Sequence, residues 1–198
     1  MDIFSHGFWG VAAAQGIKVF VKRDIKFKKW SAAFWGVFPD LFAFAIPFGW
    51  TLFGFLTGEI SREDLPDPKN AEPGGRMDLP IFRLSAYLYN YSHSLVIFVL
   101  VILGVVLFRK LRNLKLGKSW REIFPWSMIG WFVHVVMDIP THSYEFYPTP
   151  FLWPISEWKF DGIRWGQWWF IILNYGLLVL TFFVLFFLRK LREKRKLG

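Results

Sequence analysis

The sequence contains no cysteine among its 198 residues. Such a chain can form neither a disulfide framework nor a thiolate metal site. The absence does not indicate a compartment, because membrane enzymes of reducing and oxidising locations can both lack cysteine. Any metal site in this protein must therefore lack thiolate ligands.

Charged residues are scarce within the long apolar stretches of the chain. Hydrophobic residues make up 54% of the sequence, with 24 Phe and 12 Trp, and they lie in long runs rather than in short periodic patches. Apolar runs of about 20 residues can cross a bilayer as helices. The sequence therefore predicts an all-α, polytopic membrane protein, and its length fits one domain.

The net charge of +9 raises the alternative of a nucleic-acid-binding protein. However, 18 of the 24 Lys and Arg residues lie in three short segments that follow or join an apolar run: Lys18–Lys29, Arg109–Arg121 and Arg189–Lys196. Short basic segments of this kind are typical of the cytoplasmic side of a membrane. We therefore expect a multi-pass protein of the inner (cytoplasmic) membrane without a nucleic-acid partner. We expect no cleavable signal peptide, because the first apolar stretch lacks a basic start.

Five transmembrane helices, with the N-terminus outside and the C-terminus inside, would place every basic segment in the cytoplasm. They are predicted at Ile3–Val21, Trp30–Thr57, Ala86–Phe108, Ile123–Ile139 and Trp168–Leu188. The first stretch could instead lie in the membrane interface. The second contains Pro39 and Pro47, which predict either a kinked span or a span followed by a short surface helix.

The polar segments complete the predicted domain organisation. We expect one membrane-embedded domain over residues 1–188, with outer loops at 58–85 and 140–166. The first of these loops is rich in Pro, Gly and acidic residues, and the second is aromatic. A basic cytoplasmic tail follows at 189–198.

The fourth predicted span carries ionisable side chains. His134 and Asp138 are four residues apart, a spacing that places both on one face of an α-helix. Pro140 disfavours helix at Ile139, so we expect the helix to stop there and His142 to fold back from the loop. Ionisable groups within hydrocarbon are costly and favour a functional site. The alternative is a buried His–Asp pair that locks two helices together.

Three other spans carry polar side chains at similar depths. At about 1.5 Å per helical residue, Asp40 lies roughly 15 Å from the cytoplasmic end of its span and His134 about 17 Å. His93 lies about 10 Å, and His6 about 5 Å, below the outer ends of their spans. With Asp138 one turn beyond His134, these depths permit one cluster between the middle of the bilayer and its outer face.

Each of these residues also has a simpler explanation when it is considered alone. His6 could contact lipid headgroups, and Asp40 could cap a half-helix. His93 could be a hydrogen-bonded core histidine, and His142 could be a residue of the loop surface or a support for the ligands.

A cluster of these residues would need a positive partner, because the predicted spans contain no Arg that could neutralise the two aspartates. Imidazole and carboxylate ligands favour Zn²⁺, or alternatively Mn²⁺ or Fe²⁺, over Mg²⁺ and Ca²⁺. The candidate ligands for one or two ions are His6, Asp40, His93, His134, Asp138 and His142. A bound metal makes water nucleophilic near neutral pH, and Asp40, Asp138 or His142 could then move the proton.

The sequence around these residues resembles a known family, the YdjM/DUF457 family of bacterial and archaeal inner-membrane proteins, described as metal-dependent hydrolases. The similar segments are Asp2–Gly10, Phe38–Leu41, Tyr91–Leu95, His134–Asp138 and Pro150–Ser156. The resemblance extends from the first helix to about Trp165. It implies a membrane-embedded hydrolase with a divalent metal.

A more distant likeness is to zinc-dependent phospholipase C and the related single-strand nucleases. Their ligands follow the order His, Asp, His, His-x3-Asp, His, which is matched by His6, Asp40, His93, His134, Asp138 and His142. Their later His-x3-Glu pair and their N-terminal Trp ligand have no counterpart here. The likeness implies phosphoester cleavage at two metal ions, with Asp138 as the bridge.

We therefore predict a membrane metallohydrolase that cleaves a phosphoester of a lipid or lipid-linked molecule. Arg83, Lys159 and Arg164 could attract an anionic headgroup, although ordinary loop charges are the simpler interpretation. The first alternative is a transporter or proton relay that uses the same His and Asp residues, but no inverted repeat supports it. The second is a non-catalytic membrane scaffold. The sequence does not indicate the oligomeric state.

Overall fold

The computed structural model of the protein describes residues 1–20, 28–61, 80–113 and 117–197. These parts of the chain form helices and contain no β-strand. In chain order the helices are α1 Ile3–Phe20, α2 Lys29–Thr57, α3 Pro80–Ser92, α4 Leu95–Arg112, α5 Trp120–Ile123, α6 Ile129–Thr141 and α7 Trp168–Leu197, with a 3-10 turn at Trp126–Met128. The prediction of an all-α protein is confirmed.

Two helices are long and apolar enough to cross a membrane, α2 and the part of α7 from Trp168 to Lys194. α3 and α4 together form a third candidate span, which is bent by 63°. By contrast, the 13 residues of α6 extend only about 20 Å. The described residues therefore support two or three membrane spans, whereas the count of five and the orientation of the termini stay predictions.

The predicted third span, Ala86–Phe108, is not one straight helix. α3 ends at Ser92 and α4 begins at Leu95, so His93 lies at the bend between them. Ser94 is the N-cap of α4, where its hydroxyl oxygen accepts a hydrogen bond from the Ile97 amide over 3.2 Å. Serine side chains compete with helical backbone hydrogen bonds, and the sequence Ser-His-Ser therefore favours a break here.

The predicted end of the helix at Ile139 is wrong by two residues, because α6 continues to Thr141. Pro140 lies in the last turn, where its missing N–H removes only one backbone hydrogen bond. The His142 amide still donates to the Asp138 carbonyl oxygen over 3.1 Å, as in a regular helical turn.

Three further boundaries differ from the predictions. α2 is one helix that includes Pro39 and Pro47, so the alternative of a span followed by a separate surface helix is wrong. Of the predicted outer loop 58–85, residues 62–79 lie outside the described residues, and α3 already begins at Pro80. The predicted tail at 189–198 is helical as far as Leu197, and the basic segment between α1 and α2 lies mostly outside the described residues.

α1, α2 and α6 approach one another at glycines. A Cβ added to Gly130 would lie 2.1 Å from the Ala32 carbonyl oxygen, and one added to Gly36 would lie 2.5 Å from the His6 carbonyl oxygen. A Cβ added to Gly10 would likewise lie 2.5 Å from the Ala32 carbonyl oxygen. Small residues of this kind allow helix backbones to pack in direct contact within a membrane.

Aromatic side chains pack beside this crossing. The buried Trp131 stacks on Trp35, with ring centroids 6.0 Å apart, and contacts Phe38 and Phe98 edge-on. Its indole N–H donates to the Ser92 carbonyl oxygen over 2.6 Å. This hydrogen bond joins α6 to the bend between α3 and α4 and so fixes the position of His93 relative to α6.

Candidate metal centre

Side chains from α1, α2, α6 and the bend between α3 and α4 meet at one buried point. The Nε2 atoms of His93 and His134 are 3.0 Å apart, and Asp138 Oδ2 lies 3.1 Å from His134 Nε2. Asp40 Oδ1 is 3.5 Å from His93 Nε2 and 3.7 Å from His134 Nε2. Asp138 Oδ1 is 3.0 Å from His6 Nε2. The structure thus brings together five of the six predicted ligands.

Two overlapping groups within this cluster could hold a metal ion. They are His6, Asp40 and His134, and His93, His134 and Asp138, with ligand atoms within 4.8 Å of one another in each group. Around Zn²⁺, with bonds of about 2.0–2.1 Å, tetrahedral ligands lie about 3.3 Å from each other. The spacings in this cluster therefore fit the coordination shell of a transition-metal ion.

Hydrogen bonds orient the rings of His134 and His93. His134 Nδ1 donates to the Gly36 carbonyl oxygen over 2.6 Å, since a carbonyl oxygen only accepts. Ser92 Oγ donates to the Tyr89 carbonyl oxygen over 3.5 Å and accepts from His93 Nδ1 over 2.9 Å. In the tautomers with the proton on Nδ1, each neutral ring presents an unprotonated Nε2 to the centre, as in metal-binding histidines.

The two facing Nε2 atoms and the ring of His6 leave nitrogen atoms available to a proton or a cation. Two nitrogen lone pairs at 3.0 Å repel each other unless a proton or cation lies between them. His6 is 1% exposed, and neither of its ring nitrogens has a hydrogen-bond partner among the described residues. The 3.0 Å contact of its Nε2 with Asp138 lacks hydrogen-bond geometry. Because buried polar groups are normally satisfied, the facing Nε2 atoms and the one unprotonated nitrogen of a neutral His6 ring fit the ligands of a bound cation.

The amino terminus also enters the site. The ammonium group of Met1 donates a hydrogen bond to Asp138 Oδ1 over 2.6 Å, and both groups are buried. Sequence reasoning missed this contact because it counted only side chains as partners of the aspartates. The likeness to phospholipase C did not indicate it, because the N-terminal Trp ligand of those enzymes has no counterpart in this sequence.

Asp2 holds the first turn of α1 in place. Its carboxylate accepts hydrogen bonds from the Ser5 amide over 3.0 Å and from the Tyr175 hydroxyl over 2.8 Å. Burial raises the pKa of Asp2, but these hydrogen bonds outweigh burial and hold the pKa below its ordinary value. Asp2 is therefore ionised at neutral pH and links the start of α1 to α7.

His142 lies beside the cluster and belongs to neither of the two metal-binding groups. Its Nδ1 donates to the Asp138 carbonyl oxygen over 3.1 Å and lies 3.4 Å from Asp138 Oδ1. Burial lowers the pKa of His142 to about 4, so its ring is neutral at pH 7. Its predicted role, as a sixth ligand or as an acid–base group, stays a prediction.

The connection between α6 and α7, residues 142–167 and here called the aromatic loop, covers the end of α6. The amides of Gly162 and Ile163 donate to the carbonyl oxygens of His142 and Pro140, each over 2.8 Å. These bonds satisfy carbonyl groups that a helix C-terminus leaves free. The loop is thereby held against the site.

Tyr89 joins the aromatic loop to the metal centre. Its ring stacks on His93 with centroids 3.8 Å apart, and its hydroxyl donates to the Tyr147 carbonyl oxygen over 3.1 Å. Tyrosines at the start of an apolar run are typical of the membrane interface, yet Tyr89 is 5% exposed. Its spacing of four residues from His93 is a signal that could have indicated the stacking. The hydrogen bond to the aromatic loop has no such signal, because Tyr147 is distant in the chain.

The three cations predicted near the outer face lie on α3 and in the aromatic loop. Arg164 Nη1 lies 3.7 Å from Glu145 Oε2 in a partly exposed pair. Such surface pairs contribute little to stability. Arg83 is exposed on α3, and Lys159 is half-buried in the aromatic loop. A role for them in attracting a headgroup stays a prediction.

A cavity of about 730 Å³ adjoins the cluster. Met1, Asp2, Asp40 and His142 contribute to its lining. The Asp40 side chain is 17% exposed, whereas those of His93, His134 and Asp138 are at most 1% exposed. A small molecule in the cavity would therefore meet the cluster at Asp40.

The family model described as YdjM inner membrane protein matches residues 1–196. The chain belongs to this family. No curated protein and no solved structure matches the chain. Membership of the YdjM family, together with the long apolar helices, supports a membrane location. The description of the YdjM family names no reaction, so the chemistry must be inferred from the site.

Proposed function

We propose that this YdjM-family protein is a membrane metallohydrolase that cleaves a phosphoester of a lipid or lipid-linked molecule. The observation that carries the proposal is the 3.0 Å approach of the His93 and His134 Nε2 atoms beside the Asp138 carboxylate. Both nitrogens are unprotonated in the neutral tautomers that carry the proton on Nδ1, and both rings are buried. A divalent cation between them would remove the repulsion and bind Asp138 Oδ2, the carboxylate oxygen that faces both rings.

One ion fits the donor set better than two. His134 has a single free ring nitrogen, because its Nδ1 donates to the Gly36 carbonyl oxygen. The two overlapping groups share His134, so they cannot both be complete at the same time. Zn²⁺ suits the three-ligand group of His93, His134 and Asp138, while Mn²⁺ or Fe²⁺ would accept the additional ligands His6 and Asp40.

The remaining residues would position water and move protons. A bound metal ion would lower the pKa of water and polarise a phosphoryl oxygen. Asp40 is the ligand candidate most exposed to the cavity, so its free carboxylate oxygen could orient the attacking water and accept its proton. His142 lines the same cavity and could carry a proton to the leaving group. The phosphoester class itself is supported by the order of the ligands along the chain.

The test is metal content combined with turnover. We expect the purified protein to carry about one equivalent of transition metal and to hydrolyse members of a lipid-phosphoester panel. His134→Gln removes the imidazole but keeps a polar side chain, and we expect it to lose both the metal and turnover. Val136→Gln introduces the same side chain on the same helix, at a position 39% exposed, and should keep both. A fully metal-loaded protein with no turnover on the whole panel would contradict the proposal.

A proton relay is the second candidate. The Met1 ammonium and the facing histidine nitrogens form contacts that protons alone could bridge. In that case the purified protein would hold less than one equivalent of metal, and His134→Gln would have the same metal content as the wild type. Proteoliposomes would then show a proton flux that His134→Gln abolishes and Val136→Gln retains.

A further inference from the structure

We infer that the cavity beside the metal centre binds an alkyl chain of the substrate, while the anionic head of the same molecule lies at the centre. This inference rests on the proposed function for the position of the head. It specifies the substrate as an amphiphile whose chain lies along α2.

One face of α2 forms a wall of the cavity. Its lining residues follow helical spacing and are Asp40, Phe44, Pro47, Phe48 and Thr51. Residues at this spacing share one helix face. From the first to the last of them the wall extends about 16 Å, at about 1.5 Å per residue. The wall thus begins at the candidate centre and continues along α2 as an apolar surface.

α3 and the aromatic loop form the opposite walls. Phe82 and Tyr89 line the cavity from α3, two helical turns apart. Phe44 contacts Tyr89 and Tyr147, with ring centroids 5.8 Å and 5.7 Å apart. These aromatic contacts close the cavity near the cluster. A flexible alkyl chain fits an apolar space of this kind, because most of the side chains that line it from α2 and α3 are apolar or aromatic.

The charged groups of the cavity determine the orientation of the bound molecule. Among the described residues that line it there is no Lys or Arg. Asp2 and Asp40 line it near the cluster, and Glu145, which pairs with Arg164, lies at its rim with a side chain 80% exposed. An anionic head would therefore be held by the positive charge that a metal ion and the Met1 ammonium would supply at the centre, since the described lining offers no side-chain cation. The volume of about 730 Å³ is within the range of about 300–1,000 Å³ typical of small-molecule sites.

The experiment uses the absence of native cysteine. Thr51→Cys places a thiol at the far end of the cavity, and Leu52→Cys places one on the neighbouring residue, which is 61% exposed. Both proteins are reconstituted in nanodiscs with Zn²⁺, and maleimide labelling is measured with butyl, hexyl or octyl phosphonate present. These probes cannot be hydrolysed, so the measurement does not depend on turnover.

We expect the phosphonates to protect Thr51→Cys and not Leu52→Cys. The concentration for half-protection should fall by up to about fourfold per added methylene, which corresponds to about 0.8 kcal/mol per buried CH₂. Adding His134→Gln to Thr51→Cys should weaken the protection, because the head would lose its metal ion. Absent protection, equal protection of both cysteines, no dependence on chain length, or protection unaffected by His134→Gln would overturn the inference.

These results separate the inference from the proposed function. Protection of Thr51→Cys that depends on alkyl-chain length, without phosphoester turnover, would support the alkyl site and contradict the proposed hydrolase function. Turnover of short, water-soluble phosphoesters without protection of Thr51→Cys would support the proposed hydrolase function and contradict the alkyl site.

Discussion

Single side chains and carbonyl groups decide which nitrogen of each histidine faces the centre. The Gly36 carbonyl oxygen takes the proton-bearing Nδ1 of His134, and Ser92 Oγ takes that of His93. Both contacts are buried, so water does not compete for them. The ligand nitrogens are thereby positioned before any metal binds, which lowers the cost of ordering the site.

Ser92→Ala should weaken metal binding without removing a ligand. The substitution deletes the hydroxyl that accepts from His93 Nδ1 over 2.9 Å. Loss of such a supporting hydrogen bond typically lowers metal affinity by about 10- to 100-fold. Competition titration of the purified protein with a metal chelator would measure the change.

Ser85→Ala is the matched control for this prediction. Ser85 lies on the same helix and is 1% exposed, and its hydroxyl has no hydrogen-bond partner among the described residues. We expect wild-type metal affinity in this variant. Equal weakening by both substitutions would mean that the effect arises from α3 as a whole rather than from the His93 contact.

Glycines at the crossing of α1, α2 and α6 bring the ligands together. In each helix a glycine lies one turn from a member of the cluster: Gly10 from His6, Gly36 from Asp40, and Gly130 from His134. Backbone contact at the glycines therefore sets the distance between the neighbouring side chains. This relation explains why three ligands on separate helices converge.

Gly130→Ala should destabilise both the fold and the centre. The new methyl group would meet the Ala32 carbonyl oxygen and the Gly36 amide, and the backbone of α2 cannot yield as a flexible side chain would. Overpacking of this kind costs about 1–3 kcal/mol, and displacement of α6 would also lengthen the His134 bond to Gly36. Thermal unfolding in detergent and a metal titration would measure the two effects.

Gly176→Ala provides the comparison for this substitution. No atom lies within 4 Å of a Cβ added at Gly176, which is on α7. Alanine favours helix over glycine by up to about 1 kcal/mol, so we expect unchanged or slightly higher stability. If the two variants unfolded at the same temperature, close packing at Gly130 would not be important.

α7 is joined to α1 at both ends of α1. The Tyr175 hydroxyl donates to Asp2, and Trp9 donates through its indole N–H to Asn174 over 2.9 Å. At the other end, the guanidinium of Arg192 donates to the carbonyl oxygens of Lys18 and Val19. A cation at a helix C-terminus is favourable, because the free carbonyl groups there carry partial negative charge. The predicted basic tail therefore also has a structural role in capping α1.

The orientation of the whole molecule in the membrane can be tested with single cysteines. Glu157 is exposed in the aromatic loop, and Lys118 is exposed between α4 and α5. If the basic segments are cytoplasmic, a membrane-impermeant maleimide should label Glu157→Cys in intact cells and Lys118→Cys only after permeabilisation. The reverse pattern would place the metal centre toward the cytoplasm and contradict the predicted position of the cluster between the middle of the bilayer and its outer face.

The sequence alone predicted the histidine and aspartate side chains that come together in the candidate centre. The spacing of His134 and Asp138 predicts a shared helix face, and scarce ionisable residues in apolar runs identify His6, Asp40 and His93 as partners. These inferences depend on the spacing of residues along a helix and on the free-energy cost of charge in hydrocarbon. Both can be read from the order of residues in the sequence. The same reasoning predicted the all-α membrane fold.

The tertiary structure decided the geometry. It showed the Met1 ammonium beside Asp138, the hydrogen bond from Tyr89 to the aromatic loop, and the cavity that leads from Asp40 along α2. It also replaced a straight third span by two helices that meet at His93. Most of these features depend on contacts between segments far apart in the chain, and the distances across such contacts follow from close packing rather than from any pattern within one segment.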